Sequence, residues 1–199
     1  MHASTNLDAA VLVFSRAAVP GRVKTRLVPR LGEWRAARLH ARLTRHALLT
    51  ARAAACGPVE FYDTSKQRGA DLGERMHHAL ARALRRHRGA IIIGADCPAL
   101  RPRDLRRAAR WLAGGCDVVL APAEDGGYAL IGAKRVSPLL FSGVAWGGSD
   151  VYETTLRKLV SLGYRWRALE QVWDVDRPED LERLRWLRFA SAVRPGVRR

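Results

Sequence analysis

Short apolar runs alternate with amphipathic stretches along most of the chain, and this alternation predicts an α/β fold. The strand candidates are mostly continuous apolar runs, as expected for strands that are covered on both faces. They are 9–14, 59–62, 90–94, 117–121, 128–132 and about 165–173. The helix candidates are about 33–55, 70–88, 103–113, 150–162 and 177–190. Their order predicts a three-layer α/β/α sandwich around a mostly parallel central sheet.

Local signals mark the predicted helices. An apolar stripe with a repeat of four residues runs along the helix over 70–88, formed by Leu72, Met76, Leu80 and Leu84. Asp150 and Asp176 each stand three residues before a glutamate, which is the spacing of a capping box. We therefore expect these two aspartates to cap the helices that follow them.

The size of the chain suits one domain. Its 199 residues, of which 48% are hydrophobic, suffice for a single core, and we expect one domain over 1–199. Its core would span about 9–190 and be followed by a basic tail at 194–199. No apolar run approaches the roughly 20 residues that span a bilayer. The first eight residues lack the basic start of a signal peptide, so we expect a cytoplasmic protein.

Two features of composition limit the function. The three cysteines, Cys56, Cys97 and Cys116, are widely spaced, which favours reduced thiols over disulfides or structural zinc. The 35 basic and 19 acidic residues give a formal net charge of +16. This charge suggests nucleic acid, but it is almost all arginine dispersed over helix faces with few aromatic neighbours. A phosphate-bearing small substrate explains the charge equally well, and nucleic acid is the weaker interpretation.

Ligands of such a sheet bind beyond the carboxyl ends of the strands, so the loops after 14, 94, 121 and 173 are the candidates. The first loop carries Arg16, Arg22, Lys24 and Arg26. Its Pro20-Gly21 pair forces a turn and lets the backbone approach a ligand. Cations and free amides near a helix start suit a di- or triphosphate, although an ordinary basic surface loop has the same composition.

Carboxylates occupy the other three loops. Asp96 follows a buried run, where an acidic side chain is costly unless it is paired or binds a cation. It suits Mg²⁺ or Mn²⁺, or it caps the turn before Pro98. Glu124 and Asp125 precede two glycines that admit a ligand closely or form a hairpin turn. Because Asp176 already serves as a cap, Asp174 is the better second metal ligand.

Two further segments carry weaker signals. Gln67 opens a polar cluster before a helix, where it reaches a base or ribose or merely caps. Trp146 precedes another helix and would wall an acceptor site. The histidines on predicted helices, such as His40, are interpreted as surface or packing residues because no serine or cysteine nucleophile motif accompanies them.

Six segments together resemble the GT-A-like transferases associated with radical-SAM/selenodomain proteins, a group within the nucleotide-diphospho-sugar transferase superfamily. The first resembles the family signature K-x-P-x-P-G-x-V-K-T-R-L. In chain order the segments are VLVFSRAAVPGRVKTRL, QRGADLGERM, GADCPAL, APAEDGGYALIGAK, VAWGGSDVYETTL and WDVDRPEDL, covering about 10–185. The resemblance implies a GT-A fold, a nucleotide-bound donor and a divalent cation. It also places the chain near sugar-1-phosphate nucleotidyltransferases and cofactor guanylyltransferases.

The resemblance also implies roles for individual residues. Those expected to bind the nucleotide or its phosphates are Arg16, Pro20, Gly21, Lys24, Thr25, Arg26 and Gln67. Those expected at the donor or acceptor are Gly126, Gly127, Tyr128 and Trp146. Asp96, Asp125 and Lys24 would be catalytic, and Asp96 and Asp174 would bind the metal.

This sequence departs from the family pattern at three points. Arg16 replaces the usual lysine, which keeps the cation but changes its reach. Trp146-Gly147-Gly148 replaces the usual W-S-T segment, so hydroxyl contacts are lost or move to Ser149. Asp96-Cys97-Pro98 stands in place of a D-x-D motif, so a second carboxylate must come from Asp125 or Asp174.

We therefore expect a transferase that depends on Mg²⁺ or Mn²⁺ and uses a nucleotide-activated donor. The first hypothesis is glycosyl transfer from a nucleoside-diphosphate sugar to a small acceptor. The alternative is nucleotidyl transfer from a nucleoside triphosphate to a phosphorylated acceptor with release of pyrophosphate, which the same loop and metal would serve. A weaker alternative, motivated by the charge, is a non-catalytic nucleotide- or RNA-binding protein. The oligomeric state stays open.

Overall fold

The central sheet contains six strands in a computed structural model that describes residues 8–186. The strands are β1 Ala9–Phe14, β2 Val59–Tyr62, β3 Gly89–Gly94, β4 Val118–Pro122, β5 Tyr128–Ala133 and β6 Trp166–Ala168. Their order across the sheet is β2-β1-β3-β5-β4-β6. β5 runs antiparallel to both of its neighbours, and the other strand pairs are parallel. The prediction of a mostly parallel sheet is confirmed.

Helices cover both faces of this sheet. They are α1 Val28–Leu31, α2 Glu33–Ala54, α3 Leu72–Leu84, α4 Pro102–Ala113, α5 Val151–Ser161 and α6 Asp180–Trp186. α2 and α4 pack on one face against Val11 and Val13, whereas α3 and α5 pack on the other against Leu12 and Phe14. Alternate side chains of a strand point to opposite faces, so the fully apolar β1 serves both layers. The α/β/α prediction is confirmed.

Several boundaries differ from the prediction. β6 ends at Ala168, and the rest of the range predicted as a strand, about 165–173, contributes one isolated bridge between Val172 and Ala123. The start of the helix over 70–88 moves to Leu72, because the Asp71 carboxylate caps it by accepting a hydrogen bond from the Glu74 amide. The basic tail at 194–199, and the end of the helix predicted over 177–190, lie outside the described residues.

The two predicted caps are not formed. The Asp150 side chain makes no capping hydrogen bond. The Asp176 carboxylate is paired with Arg26 instead, and the Asp180 carboxylate accepts hydrogen bonds from the Asp176 and Arg177 amides. The capping prediction for Asp176 was wrong because a cation 150 residues away in sequence competes for its carboxylate.

All three cysteines are free and buried, and burial raises the pKa of each thiol. Within residues 8–186, no helix is both long enough and apolar enough to cross a membrane.

Candidate active site

A cavity of about 210 Å³ opens at the edge of the sheet where β3 and β4 end. The predicted loops meet here: Asp96 comes from the loop after β3, Asp125 from the loop after β4, and Asp174 from the segment after β6. Tyr128 and Trp146 line the cavity as well. Gly127 lines it too, so the structure brings six of the predicted site residues together around one space.

Asp96 is held by Lys24 from the first loop. Lys24 Nζ lies 2.9 Å from Asp96 Oδ2, and its side chain is only 6% exposed, whereas that of Asp96 is 44% exposed. Burial acts to raise the pKa of Asp96, but the charge and hydrogen bond of Lys24 outweigh it, so the pKa is lowered. Lys24 adopts a positive φ of 48°, a strained conformation for a residue other than glycine.

Asp174 lies beside the other two carboxylates of the cavity, and its pKa is raised. The Val175 amide donates to the Asp96 carbonyl at 2.9 Å, and Cys97 Sγ lies 3.1 Å from the Trp173 carbonyl, so the two loops are joined. Burial and the negative charges of Asp96 and Asp125 raise the pKa of Asp174 to about 6. Perturbation of this kind is typical of functional sites.

The loop after β4 forms a tight turn. Asp125 Oδ1 accepts a hydrogen bond from the Gly127 amide at 2.9 Å, while the side chain stays exposed at the cavity. Gly126 has a φ of 87°, and a Cβ there would overlap the Ser149 carbonyl oxygen. The close approach that Gly126 permits is thus to the protein's own backbone, which is further fixed by the Tyr152 amide bonding to the Gly126 carbonyl at 2.8 Å.

Glu124, the other acidic candidate in this loop, has a different environment. Its carboxylate is bound by both terminal nitrogens of Arg183, at 2.6 and 2.9 Å. The Arg183 guanidinium also lies 4.4 Å from the centre of the Trp173 ring. Glu124 is not among the residues that line the cavity. Its structural role is to tie the loop after β4 to α6.

Two aromatic side chains, Tyr128 and Trp146, also line the cavity. The rings of Trp146 and Tyr128 meet edge to face, with centroids 6.5 Å apart. The indole of Trp146 lies against the backbone of α3, where a Cβ at Gly73 would come within 2.5 Å of it. The nitrogen of that indole is buried and has no hydrogen-bond partner within residues 8–186. Gly73 thus sets the depth of this aromatic lining, a role that no motif indicated.

The remaining predicted residues of the first loop differ in what they contact. Arg16 and Arg22 are exposed and have no acidic partner in the described part of the chain, whereas Arg26 pairs with Asp176. Pro20 and Gly21 form the predicted turn, and Gly21 has a φ of 72°. Thr25 is exposed and begins a short 3-10 helix over Thr25–Leu27.

Two side chains anchor the root of this loop. Gln67 Nε2 donates to the carbonyls of Ser15 and Tyr62, at 3.1 and 2.9 Å. His40 Nε2 lies 3.0 Å from the Arg16 carbonyl and 3.1 Å from Ser15 Oγ. Burial lowers the pKa of His40, which favours the neutral ring. His40 was missed as a site residue; a polar side chain on the buried face of α2 was the available signal.

The carboxylates fit a divalent cation of a particular kind. Within residues 8–186, no three His, Cys, Asp or Glu side chains are grouped closely enough to enclose a metal ion. Asp96 and Asp174 nevertheless face one cavity, and a cation there would relieve the repulsion that raises the pKa of Asp174. Such a pair suits Mg²⁺ or Mn²⁺ held largely by water and substrate phosphates.

Comparison with known proteins shows which family the chain belongs to. Residues 34–148 match DUF2064, a family of uncharacterized proteins conserved in bacteria, over more than half of the chain. The chain belongs to the DUF2064 family. This DUF2064 protein is also similar to a crystal structure from Desulfovibrio desulfuricans G20, that of a protein provisionally named a nucleotide-diphospho-sugar transferase. The identity is 30% over 94% of this chain and 90% of that chain, with a TM-score of 0.80.

A more distant structure shares only the fold of the DUF2064 protein. It is a nucleotidyl transferase from Methanothermobacter, 14% identical over 89% of this chain and 96% of that chain, with a TM-score of 0.52. A search of curated proteins finds no significant sequence match. The fold expected from the resemblance, that of the nucleotide-diphospho-sugar transferases, is confirmed by the Desulfovibrio structure.

Proposed function

We propose that this DUF2064 protein is a cation-dependent glycosyltransferase that moves a sugar from a nucleoside-diphosphate sugar to a small acceptor. The observation that carries the proposal is the convergence of Asp96, Asp125 and Asp174 on one cavity beside a cationic loop. The name of the Desulfovibrio protein supports the donor class. The six ordered segments support membership of the radical-SAM/selenodomain-associated group.

The first loop would bind the donor. Its exposed guanidiniums, Arg16 and Arg22, suit the two phosphates of a nucleoside diphosphate, since arginine binds phosphate oxygens in a forked geometry. Gln67 and His40 would hold the loop backbone in place for this contact. Because Arg26 is already neutralised by Asp176, two free guanidiniums suit a diphosphate better than a triphosphate.

Asp96 and Asp174 would hold Mg²⁺ or Mn²⁺, which supplies charge neutralisation at the departing diphosphate. Lys24 fixes the orientation of Asp96 and keeps it ionised. Its strained backbone conformation serves this contact. The remaining positive charge near the leaving group would come from the first loop.

Asp125 would act as the general base. Its Oδ1 is held by the Gly127 amide, whereas Oδ2 has no hydrogen-bond partner within the described residues. Asp125 would accept the proton of the acceptor hydroxyl as that oxygen forms a bond to the anomeric carbon of the donor sugar. The bond from that carbon to the diphosphate oxygen breaks, and the nucleoside diphosphate leaves with the electron pair.

A thermal-shift panel tests the donor class. Nucleoside diphosphates, triphosphates and nucleotide sugars are each added with and without Mn²⁺ or Mg²⁺. A ligand at about 100 times its Kd adds roughly 2.7 kcal/mol, which raises the unfolding midpoint by about 5–11 °C. We expect the largest cation-dependent rise with one nucleotide sugar. A larger rise with a triphosphate, accompanied by pyrophosphate release, would instead show nucleotidyl transfer.

The neighbours Glu124 and Asp125 provide a matched pair of variants for the mechanism. With the donor found, Asp125→Asn is expected to lower the rate of transfer by about 10²-fold or more, the range for loss of a general base. Glu124→Gln is expected to keep the rate within a few-fold, because Glu124 is bound to Arg183 outside the cavity. Release of nucleoside diphosphate measures both. Equal losses in the two variants would contradict the assignment.

A further inference from the structure

The charges that line the cavity limit what kind of acceptor it can take. Its charged side chains are the three carboxylates of Asp96, Asp125 and Asp174, and no lysine or arginine lines it within the described residues. The nearest cation, Lys24, is already bonded to Asp96 and almost fully buried. An anionic group entering this cavity would meet carboxylates without a free side-chain cation to bind it.

Cations free to bind phosphate are found outside the cavity. Arg16 and Arg22 lie on the first loop and do not line the cavity. They suit the phosphates of the donor, as the proposed function requires. A divalent cation held by Asp96 and Asp174 would offset the charges of those two carboxylates, since Arg16 and Arg22 already match the donor diphosphate. The acceptor would then face the remaining carboxylate, that of Asp125, without a free side-chain cation beside it.

The shape and the apolar lining of the cavity point to a small ligand with an apolar side. About 210 Å³ lies below the roughly 300–1,000 Å³ of pockets that hold a drug-sized molecule. This volume suits a small acceptor better than a whole nucleotide. Trp146, Tyr128, Leu72 and Met76 give the same cavity an apolar part of its lining. Aromatic rings of this kind pack against the C–H face of a sugar or polyol.

We infer that the acceptor is an uncharged, polyhydroxylated molecule with one apolar face, and that the cavity rejects phosphorylated acceptors. Hydroxyl groups donate hydrogen bonds to carboxylates, so a polyol satisfies Asp125 and Asp174 where a phosphate is repelled. The inference rests on the proposed function in one respect, namely that the molecule bound in the cavity is the acceptor. The charge selectivity of the cavity itself is testable without a donor.

The test uses matched pairs of probes that differ by one phosphate: glucose and glucose 6-phosphate, ribose and ribose 5-phosphate, glycerol and glycerol 3-phosphate. Binding is measured by ligand-observed saturation-transfer NMR with EDTA in place of Mg²⁺, because without donor diphosphate a bound dication would itself attract the phosphorylated probes. An Arg16→Ala/Arg22→Ala background removes the loop guanidiniums, so that phosphate binding at the loop does not obscure the cavity. We expect at least one neutral probe to bind, and to bind at least tenfold more tightly than its phosphorylated partner.

Two further substitutions in that background test whether the preference for neutral probes arises in the cavity. Leu72 lines the cavity at the start of α3 and is 42% exposed, so Leu72→Arg adds a cation to the cavity. Leu139 is 58% exposed and does not line the cavity, so Leu139→Arg adds the same charge elsewhere. We expect Leu72→Arg to bring the affinity of the phosphorylated probes to within about threefold of their neutral partners. Leu139→Arg is expected to leave the tenfold preference intact.

The inference is overturned if a phosphorylated probe binds as tightly as its neutral partner before a cation is added, or if no neutral probe binds. It is also overturned if Leu139→Arg has the same effect as Leu72→Arg. Failure of the proposed function is distinguishable, because it appears as the absence of any cation-dependent thermal shift with nucleotide sugars in the wild-type protein. Either result can occur without the other.

Discussion

Asp174 is the residue at which the needs of the cavity and of folding conflict most directly. Its pKa is about 6 in the folded protein, against an ordinary value of 3.8. Because the folded-state pKa is the higher, the stability that protonation contributes is fully present below about pH 3.8 and is lost as the pH rises through about 6. At neutral pH the ionised side chain therefore opposes folding.

Because the ionised carboxylate opposes folding at neutral pH, Asp174→Asn is predicted to stabilise the protein at pH 7.5 in the presence of a chelator. The free energy of unfolding should rise by about 1–2 kcal/mol, a figure reduced because the side chain is partly exposed. This corresponds to roughly 2–8 °C in the unfolding midpoint. At pH 5, which lies between the two pKa values, the gain should be about half as large. Added Mn²⁺ should raise the midpoint of the wild-type protein at pH 7.5 and leave that of the variant unchanged.

Glu170→Gln serves as the control for this experiment, since the Glu170 side chain is 83% exposed and its contact with Arg107 is long at 3.7 Å. It should change the midpoint little at either pH. Calorimetry at both pH values decides the matter: an Asp174→Asn variant less stable than wild type at pH 7.5 would show that the carboxylate is not under repulsive stress.

Lys24 allows its backbone strain to be separated from its charge. Both Lys24→Ala and Lys24→Gly remove the ammonium that holds Asp96, and both should abolish transfer. Glycine adopts a positive φ without the Cβ penalty that alanine retains. Lys24→Gly should therefore be more stable than Lys24→Ala by about 1 kcal/mol, measured by denaturant unfolding. Equal stabilities would mean that the positive φ of 48° stores no strain.

Sequence alone predicted which residues converge but not how they are paired. Asp96, Asp125 and Asp174 were identifiable because each follows a predicted strand, and the carboxyl ends of parallel strands share one edge. The pairing of Glu124 with Arg183 was not identifiable, because 59 residues separate them and no motif links them. Gln67 reads as a ligand contact in sequence, whereas its amide nitrogen bonds two backbone carbonyls.

At the scale of elements, the contact between α3 and Trp146 shapes the cavity. Gly73→Ala should raise helix propensity, but its Cβ would lie 2.5 Å from the indole of Trp146. Overpacking of this kind costs about 1–3 kcal/mol, so we expect net destabilisation and a changed tryptophan fluorescence spectrum. In Gly73→Ala/Trp146→Ala the clash is absent, and the double-mutant cycle should show a coupling of about 1 kcal/mol or more.

The same cycle offers its own check. If Gly73→Ala costs as much stability with alanine at position 146 as with tryptophan, the cost does not come from contact with the indole. The indole would then not be seated by Gly73.

The bounds of a strand or helix could be predicted where all its residues are buried. They were harder to predict where a contact with a distant residue fixes the end of the element. β1 and β3 read directly from apolar runs, because both of their faces are covered. The capping pattern placed the start of α5 correctly, directly after Asp150, although that side chain makes no capping hydrogen bond. It did not place the start of α6, because the Asp176 carboxylate is paired with Arg26. β6 ends at Ala168, and beyond it only scattered backbone hydrogen bonds to β4 continue, such as that from the Val172 amide to the Pro122 carbonyl.

For the whole molecule, the charge of +16 makes self-repulsion the dominant long-range term. Arg35, Arg38, Arg42 and Arg45 recur at spacings of three and four along α2, so they share one side of that helix. Like charges at these spacings destabilise a helix by about 0.2–0.5 kcal/mol per pair. Salt screens this repulsion, because the Debye length falls from about 30 Å at 0.01 M to about 8 Å at 0.15 M.

We therefore expect the unfolding midpoint to rise between 10 and about 150 mM NaCl at constant pH. Arg38→Glu converts its pair with Arg35 from repulsive to attractive, which should stabilise the protein by about 0.4–1 kcal/mol at low salt. That gain should shrink as NaCl is added. Arg38→Gln, which removes the charge without reversing it, should gain about half as much. If the three proteins show the same dependence on salt, repulsion along α2 makes no measurable contribution to stability.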